Sequence, residues 1–222
     1  MNLTDKITIN TQSSIKVSLE DKTIYFDPFK IQEEVHDADI IFITHAHFDH
    51  FSAGDLEKVM NEKTVLVIPE SLKEKLGELV SPAGEVIMVN PGDKLNVCGI
   101  PCEVVYSYNT NKPNHLIEYK WVGYVVELLG ERMYVAGDTD VIPEIEGIKC
   151  DLALVPIGGT FTMDLYEAAE YVNRIHPDTV IPIHYGSVVG KEEMGPEFAK
   201  LIYSDINVVI KLEFVEIWQK QR

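Results

Sequence analysis

The chain reads as an α/β protein made of two mixed β-sheets packed together with helices on the outer faces, and two observations carry that reading. Each half contains a β-hairpin, and each half also contains strands that run straight into helical spacing. Hairpins pair their strands antiparallel, whereas strand–helix units pair them parallel, so both senses are needed. A doubly wound parallel sheet leaves the hairpins unexplained.

Taken in order, "SIKVSL" and "KTIYFD" form a hairpin around Glu20 and Asp21, and the strand "ADIIFIT" (38–44) follows. Ser52 and Asp55 have capping-box spacing, which starts a helix at "GDLEKVM". "TVLVI" (64–68), "EVIMV" (85–89) and "CEVVYSY" (102–108) are strands, with a short helix over 71–79 between the first two. "GYVVELL" and "RMYVAG" make the second hairpin, turning at Gly130 and Glu131. "CDLALVPIGG" is a buried strand. Asp164 and Glu167 then cap a helix whose apolar residues Leu165, Ala168, Ala169, Val172 and Ile175 recur at helical spacing. "DTVIPIHYG" is the last inner strand, and "NVVIKLEFVEIW" closes the chain with β-like composition.

With 222 residues, 45% of them hydrophobic, and no linker or low-complexity tract, a single domain spanning 1–222 is expected. No apolar run approaches the ~20 residues that cross a bilayer, and "MNLTDKITIN" has no basic start followed by an apolar stretch, so a cytoplasmic protein is expected. Three cysteines, an odd number, suit a reducing compartment. Cys98 and Cys102 have no second pair to complete a zinc site, and packing is their expected role. The formal charge of −17 opposes binding to nucleic acid or anionic membrane, so neither is an expected partner.

Chemistry concentrates in "THAHFDHFSAGD" (44–55), which holds three of the seven histidines. Imidazoles and a carboxylate crowded this closely need a compensating cation. "IIFIT" ends at His45, "MYVAG" at Asp138 and "VIPI" at His184, so three buried strands each deliver a ligand-type residue to one sheet edge. A lone histidine after a strand is usually a satisfied polar group; H-x-H-x-D-H followed by strand-terminal Asp and His is far more specific. An extended path past Thr44 turns His45 and His47 to the same side, while Asp49 and His50 lie beyond the bend and face a second ion. Asp138 can bridge two ions, and His184 completes the second site. His36 and His176 fall at the wrong ends of their strands. His115, in the loop "NTNKPNH" after "CEVVYSY", can fold over the metal edge.

These motifs, from "IYFDP" (24–28) through "GDTD" and "PIGGTFTMD" to "IPIHYG" (181–186), resemble the metallo-β-lactamase superfamily, most closely its short metal-dependent hydrolases near L-ascorbate-6-phosphate lactonase. The resemblance implies a four-layer αβ/βα sandwich of two similar halves. It implies His45, His47 and His115 at a first metal site, Asp49, His50 and His184 at a second, and Asp138 between them. It further implies a hydrolase that uses hydroxide held by two divalent ions to cleave an ester-like bond, a lactone or phosphate ester, in a small-molecule substrate. Zinc leads, with manganese, iron, cobalt and nickel also suited to nitrogen and carboxylate ligands. Asp49 is expected to orient the nucleophile, and Tyr185 and Lys112 to offer donors to an anionic substrate. A nuclease or phosphodiesterase and a non-catalytic metal-binding module are the alternatives. A homo-oligomer stays open.

Overall fold

The computed structural model describes residues 2–79 and 83–212. The first sheet takes β1 (Ile7–Ile9), β2 (Ile15–Ser18), β3 (Thr23–Phe26), β4 (Ile40–Phe42), β5 (Val65–Pro69) and β6 (Glu85–Val89) in that spatial order. The second takes β7 (Lys94–Val97), β8 (Ile100–Tyr106), β9 (Val122–Leu128), β10 (Glu131–Val135), β11 (Leu152–Pro156), β12 (Thr179–Ile183) and β13 (Asn207–Val208), again in sequential order. Each sheet begins with antiparallel strands and ends with three parallel pairings, β3 to β6 in one and β10 to β13 in the other. The expected two mixed sheets are therefore present.

Strand alternation builds the layers. Ile40 and Phe42 of β4 and Val65 and Val67 of β5 enter the core between the sheets, whereas Ile41, Ile43, Leu66 and Ile68 join Leu56 and Val59 of α1 (Ala53–Val59) in a second cluster. Strands buried on both faces suit the parallel part of a sheet. On the second sheet, Ala168, Val172 and Ile175 of α2 (Leu165–Ile175) pack into the main core. α3 (Met194–Ala199), absent from the sequence expectation, lies against α2. Phe42 stacks on Phe26 at 4.9 Å and meets Tyr124 of β9 at 5.0 Å; Phe42→Ala would cost about 3–5 kcal/mol. Tyr124 Oη donates to Ile43 O at 2.7 Å, and Val122 N–H donates to Thr44 O at 3.1 Å. These two bonds fasten the sheets together just before His45.

Several local expectations need correction. Ser52 is the N-cap of α1 but makes no side-chain cap bond. Its hydroxyl donates to Asp55 Oδ2 at 2.8 Å, and Asp55 accepts from the backbone N–H groups of Lys30 and Ile31 at 2.8 and 3.0 Å, so the pair anchors a distant loop. The second hairpin turns at Leu129 and Gly130, with φ of 54° and 81° matching a two-residue primed turn. Helix 71–79 is a 3₁₀ helix over Glu70–Glu78. Asp164 and Glu167 do form the capping box. The closing strand is confined to Asn207–Val208, and 213–218 of the expected run lie outside the described residues. No helix among the described residues is long and apolar enough to cross a membrane.

Candidate metal centre

The expected ligands meet where the strand ends of the two sheets converge. Gly137, after β10, has φ of +67°, and a Cβ there would lie 2.8 Å from Val122 O and 2.9 Å from Ser107 Oγ, so only glycine turns the chain into Asp138 at this point. Ser107 Oγ then donates to Asp138 O at 2.9 Å. His184, after β12, sits in the left-handed region at φ 57°, held by its N–H donating to Gln12 O at 3.0 Å. Such a conformation costs about 1–3 kcal/mol for a residue with a side chain, and surrounding structure must impose it.

His45, His47 and His115 form one group and Asp49, His50 and His184 another, with the donor atoms of each within 4.8 Å of one another; Asp27, His45 and His50 make a third cluster that shares a histidine with each. Asp138 lies between the first two groups: Oδ2 is 3.9 Å from His45 Nε2, 3.5 Å from His115 Nε2 and 3.1 Å from His184 Nε2, while Oδ1 is 3.4 Å from His50 Nε2. Asp49 Oδ2 approaches His184 Nε2 at 3.6 Å and His50 Nε2 at 3.8 Å. All of these are buried except His47, which is half-buried.

The outer partners fix which nitrogen each ring presents. Asp27, at φ 45° after β3, accepts from Thr44 N–H at 2.8 Å, from Thr44 Oγ1 at 2.6 Å and from His50 Nδ1 at 2.7 Å. With its hydrogen given to Asp27, the Thr44 hydroxyl accepts from His45 Nδ1 at 3.0 Å. Asn109 Oδ1 accepts from His115 Nδ1 at 3.0 Å, and its Nδ2 donates to Phe161 O at 2.9 Å. The Nε2 atoms of His45 and His115 are thereby left as lone-pair donors, and His50 turns its Nε2 toward the second group. His45 Nε2 lies only 3.2 Å from His47 Nδ1 and 3.4 Å from His115 Nε2. The Nε2 lone pairs of His45 and His115, meeting this closely out of water, repel unless a cation lies between them. His50 Nε2, His184 Nε2 and Asp138 Oδ1 are buried with no well-formed hydrogen bond among the described residues. This donor set fits a divalent ion in each group. Trp121 packs its ring 4.9 Å from those of His45 and His47 and 5.2 Å from that of His115, walling the first group with apolar surface.

Charge divides the groups. Burial, reinforced by the charge of His50, holds His45 well below the ordinary histidine range, and burial with His115 lowers His47. Burial also opposes charge on His50 and His184, but Asp138 outweighs it in both, aided at His50 by Asp27, raising His50 well above the ordinary range and His184 to about 9. Burial alone would raise Asp138; His184 and His50 overcome it and hold the carboxyl well below the usual range. At Asp49 the nearby His184 ring, 3.6 Å away, and the charge of His50 likewise outweigh burial and lower the carboxyl below its ordinary value.

The other candidates make contacts outside the two groups. Tyr185 is wholly buried with its ring against Gly195, and burial raises its hydroxyl to about 12. Lys112 is paired with Asp140, whose second oxygen accepts from Thr110 N–H at 2.9 Å. His36 Nδ1 meets Met60 O at 2.7 Å, and His176 is the C-cap of α2, 3.2 Å from Asp205. Sequence reasoning missed Asp27, Thr44, Asn109 and Trp121. Asp27 carried one usable signal: like Asp138, it is a carboxylate directly after an apolar strand.

A buried cluster of histidines and aspartates at the meeting edge of two mixed sheets, opening onto a cleft beside His47, Asp49 and Asp138, defines a metal-dependent hydrolase centre. Comparison with known proteins agrees. The family model of the β-lactamase superfamily domain matches residues 6–184. A UPF0173 metal-dependent hydrolase of Pyrococcus abyssi is 32% identical over 205 residues, covering 85% of this chain and 88% of the relative. That of Saccharolobus solfataricus is 34% identical over 196 residues, covering 83% and 77%. Among solved structures, a candidate metal-dependent hydrolase of Parabacteroides distasonis superposes with a TM-score of 0.77 at 28% identity, covering 93% of each chain. The chain belongs to the β-lactamase superfamily, with the metallo-β-lactamase fold and the company of the UPF0173 metal-dependent hydrolases.

Proposed function

We propose that this hydrolase holds two divalent ions, zinc foremost, and cleaves an ester-like bond of a small molecule. His45, His47 and His115 hold the first ion, Asp49, His50 and His184 the second, and Asp138 is shared. The observation that supports this most is the placement of Asp138, whose two oxygens face members of both groups. When bound, two such ions supply a water deprotonated near neutral pH and polarise the scissile centre. The chain's own residues do the rest. Asp49, ionised and lining the cleft, orients the attacking water. Asp27, Thr44 and Asn109 fix the rings so that little reorganisation accompanies reaction. The ester's carbon–alkoxide bond breaks as the carbon–oxygen bond to water forms, and the leaving alkoxide takes one proton from that water. A closed structural site needs four ligands and no cleft; seven candidates beside an open cleft favour catalysis over metal storage.

Elemental analysis of reconstituted protein, joined to an ester hydrolysis assay, tests the reading. Two ions per chain and turnover that disappears with chelation are expected. A ceiling of one ion with all ligands intact defeats the dinuclear assignment.

A further inference from the structure

The loop that brings His115 to the first group has no apolar anchor of its own. Between the buried residues Asn109 and His115, Thr110, Asn111 and Pro113 are exposed, and Lys112 and Asn114 are half-buried. Apolar burial therefore does little to shape this stretch, and polar bonds must set it. Asn109 N–H donates to His115 O at 2.7 Å and closes the base of the loop. The tip is held by one side chain, Asp140. One of its oxygens takes Lys112 Nζ, and the other accepts from Thr110 N–H at 2.9 Å, with Thr110 Oγ1 at 3.4 Å. Pro113 restricts the residue before it to extended backbone, which pre-sets the approach of Lys112.

Asp140 stands two residues after Asp138 and is itself fastened to the chain just past β8, where the loop departs. Its N–H donates to Tyr108 O at 3.0 Å, and Ser107 Oγ donates to Asp138 O at 2.9 Å. The segment with the shared carboxylate and the loop with the first-group histidine thus form one polar frame, in which Asp138 Oδ2 and His115 Nε2 come within 3.5 Å. Within it the Lys112 pair carries charge on both partners, and bonds of that kind are roughly twice as strong as neutral ones. Asp140 is buried and the Lys112 side chain is 20% exposed, so water and salt screen the pair little. An ammonium that swung out to meet an anionic substrate would leave a buried carboxylate uncompensated.

From this, and resting on the two-ion hydrolase reading above, we infer that Lys112 is a positioning residue and not a substrate donor: through Asp140 it latches the 109–115 loop over the first ligand group and sets how firmly His115 holds an ion there. Asn114, which lines the cleft from the same loop, is fixed by the same latch. Asp49, His50 and His184 come from other loops, so the second group feels the loss of the latch far less.

The test measures the zinc affinity of each group in full-length protein against a competing chelator, with His115→Ala as the reference that marks the first-group step. Lys112→Met should lower first-group affinity about 10–100-fold, the size expected when the outer support of a metal ligand is lost, and change the second group less than about threefold. Removing a cation near the site would by itself raise zinc affinity, so a fall at the first group points to the loop and not to charge. Lys112→Arg, which keeps the charge, should recover most of the loss. Asp140→Asn should act in the same direction but more weakly, because its amide oxygen still accepts from Thr110 N–H, and it serves if Lys112→Met folds poorly. The double variant should lose less than the sum of the single losses, since neither partner is then left buried alone. A merely structural role would lower the unfolding temperature of metal-free protein and weaken both groups alike. Unchanged first-group affinity in Lys112→Met, equal weakening of both groups, or no recovery in Lys112→Arg overturns the inference. A raised KM for an ester the parent cleaves, with metal affinity intact, overturns it too, being the mark of a substrate donor. Each of these outcomes leaves the hydrolase reading standing, whereas a parent protein that binds no zinc and cleaves no ester removes that reading and this inference with it.

Discussion

The two ligand groups lie side by side, yet they are supported by different chemistry. His115 of the first group leans on a neutral amide, Asn109, whereas His50 of the second leans on a buried carboxylate, Asp27. The first group is walled by Trp121, and its histidines His45 and His47 are pushed toward the neutral form. The second sits among three carboxylates, Asp27, Asp49 and Asp138, and its histidines attract protons. His45 and His47 of the first group are therefore neutral donors that can take an ion without giving up a proton. The second is a more negative site that attracts cations strongly but must first release the protons it already holds.

The largest effect should come from removing what the groups share. Asp138→Ala leaves two close cations without a common anion, so hydrolysis is expected to vanish and calorimetric titration to show weakened binding at both groups. Unchanged affinity at both would mean that Asp138 does not connect them. Next come changes that separate the groups. His115→Ala removes a donor from the first and should lower occupancy there, leaving the second loaded. Asp27→Asn removes charge behind His50 and should weaken the second group about 10–100-fold, and the first, which Asp27 reaches only through Thr44 and His45, by less. If Asp27→Asn weakened both groups alike, the contrast drawn between their supports would be wrong.

How much of this could be read without coordinates depends on how far each feature reaches along the chain. His45, Asp138 and His184 were legible because each follows a run whose period and composition mark a strand, and strand ends gather at a sheet edge; His47, Asp49 and His50 came with His45 in one short motif. β1 and β7 escaped notice: one has three residues, and the other, "KLNV", buries only Val97. α3 has six residues and no side-chain cap. The supporting residues were hidden for another reason. Asp27 is 23 positions from His50, and they meet only because β3 and β4 pair in parallel and end together. The Ser52 and Asp55 pattern misled because Asp55 satisfies backbone groups 24 and 25 residues away, a long-range demand that local spacing cannot reveal. Lys112 and Tyr185 were placed near the site by sequence adjacency alone, which says nothing about where a side chain points.

A smaller and more graded effect follows from the protons. Asp138 pushes His184 up to about 9 and His50 well above its ordinary value, which favours the charged form of both at neutral pH when no ion competes. An ion entering the second group displaces them, and its affinity should fall about tenfold per displaced proton for each pH unit below those values. His45 and His47 have depressed pKa values, so competition at the first group begins only at a lower pH. Zinc affinity measured against a competing chelator between about pH 8 and 6 should fall steeply at the second group and stay nearly level at the first. Equal slopes at both would remove the electrostatic half of the comparison.

The smallest effect is expected at the histidines outside both groups. His36 Nδ1 bonds Met60 O, beyond the far end of β4 from His45, so His36→Ala should cost about 0.5–1.5 kcal/mol of stability and no metal. His176 closes α2 in the left-handed region at φ 56°, half-exposed and 3.2 Å from Asp205. An exposed pair of this kind contributes little, and the backbone there suits glycine better than any side chain. His176→Gly should therefore match or slightly exceed the parent in thermal unfolding, with both ions and full activity retained. Loss of an ion from either variant would show that a ligand group extends past the strand edge on which the whole assignment depends.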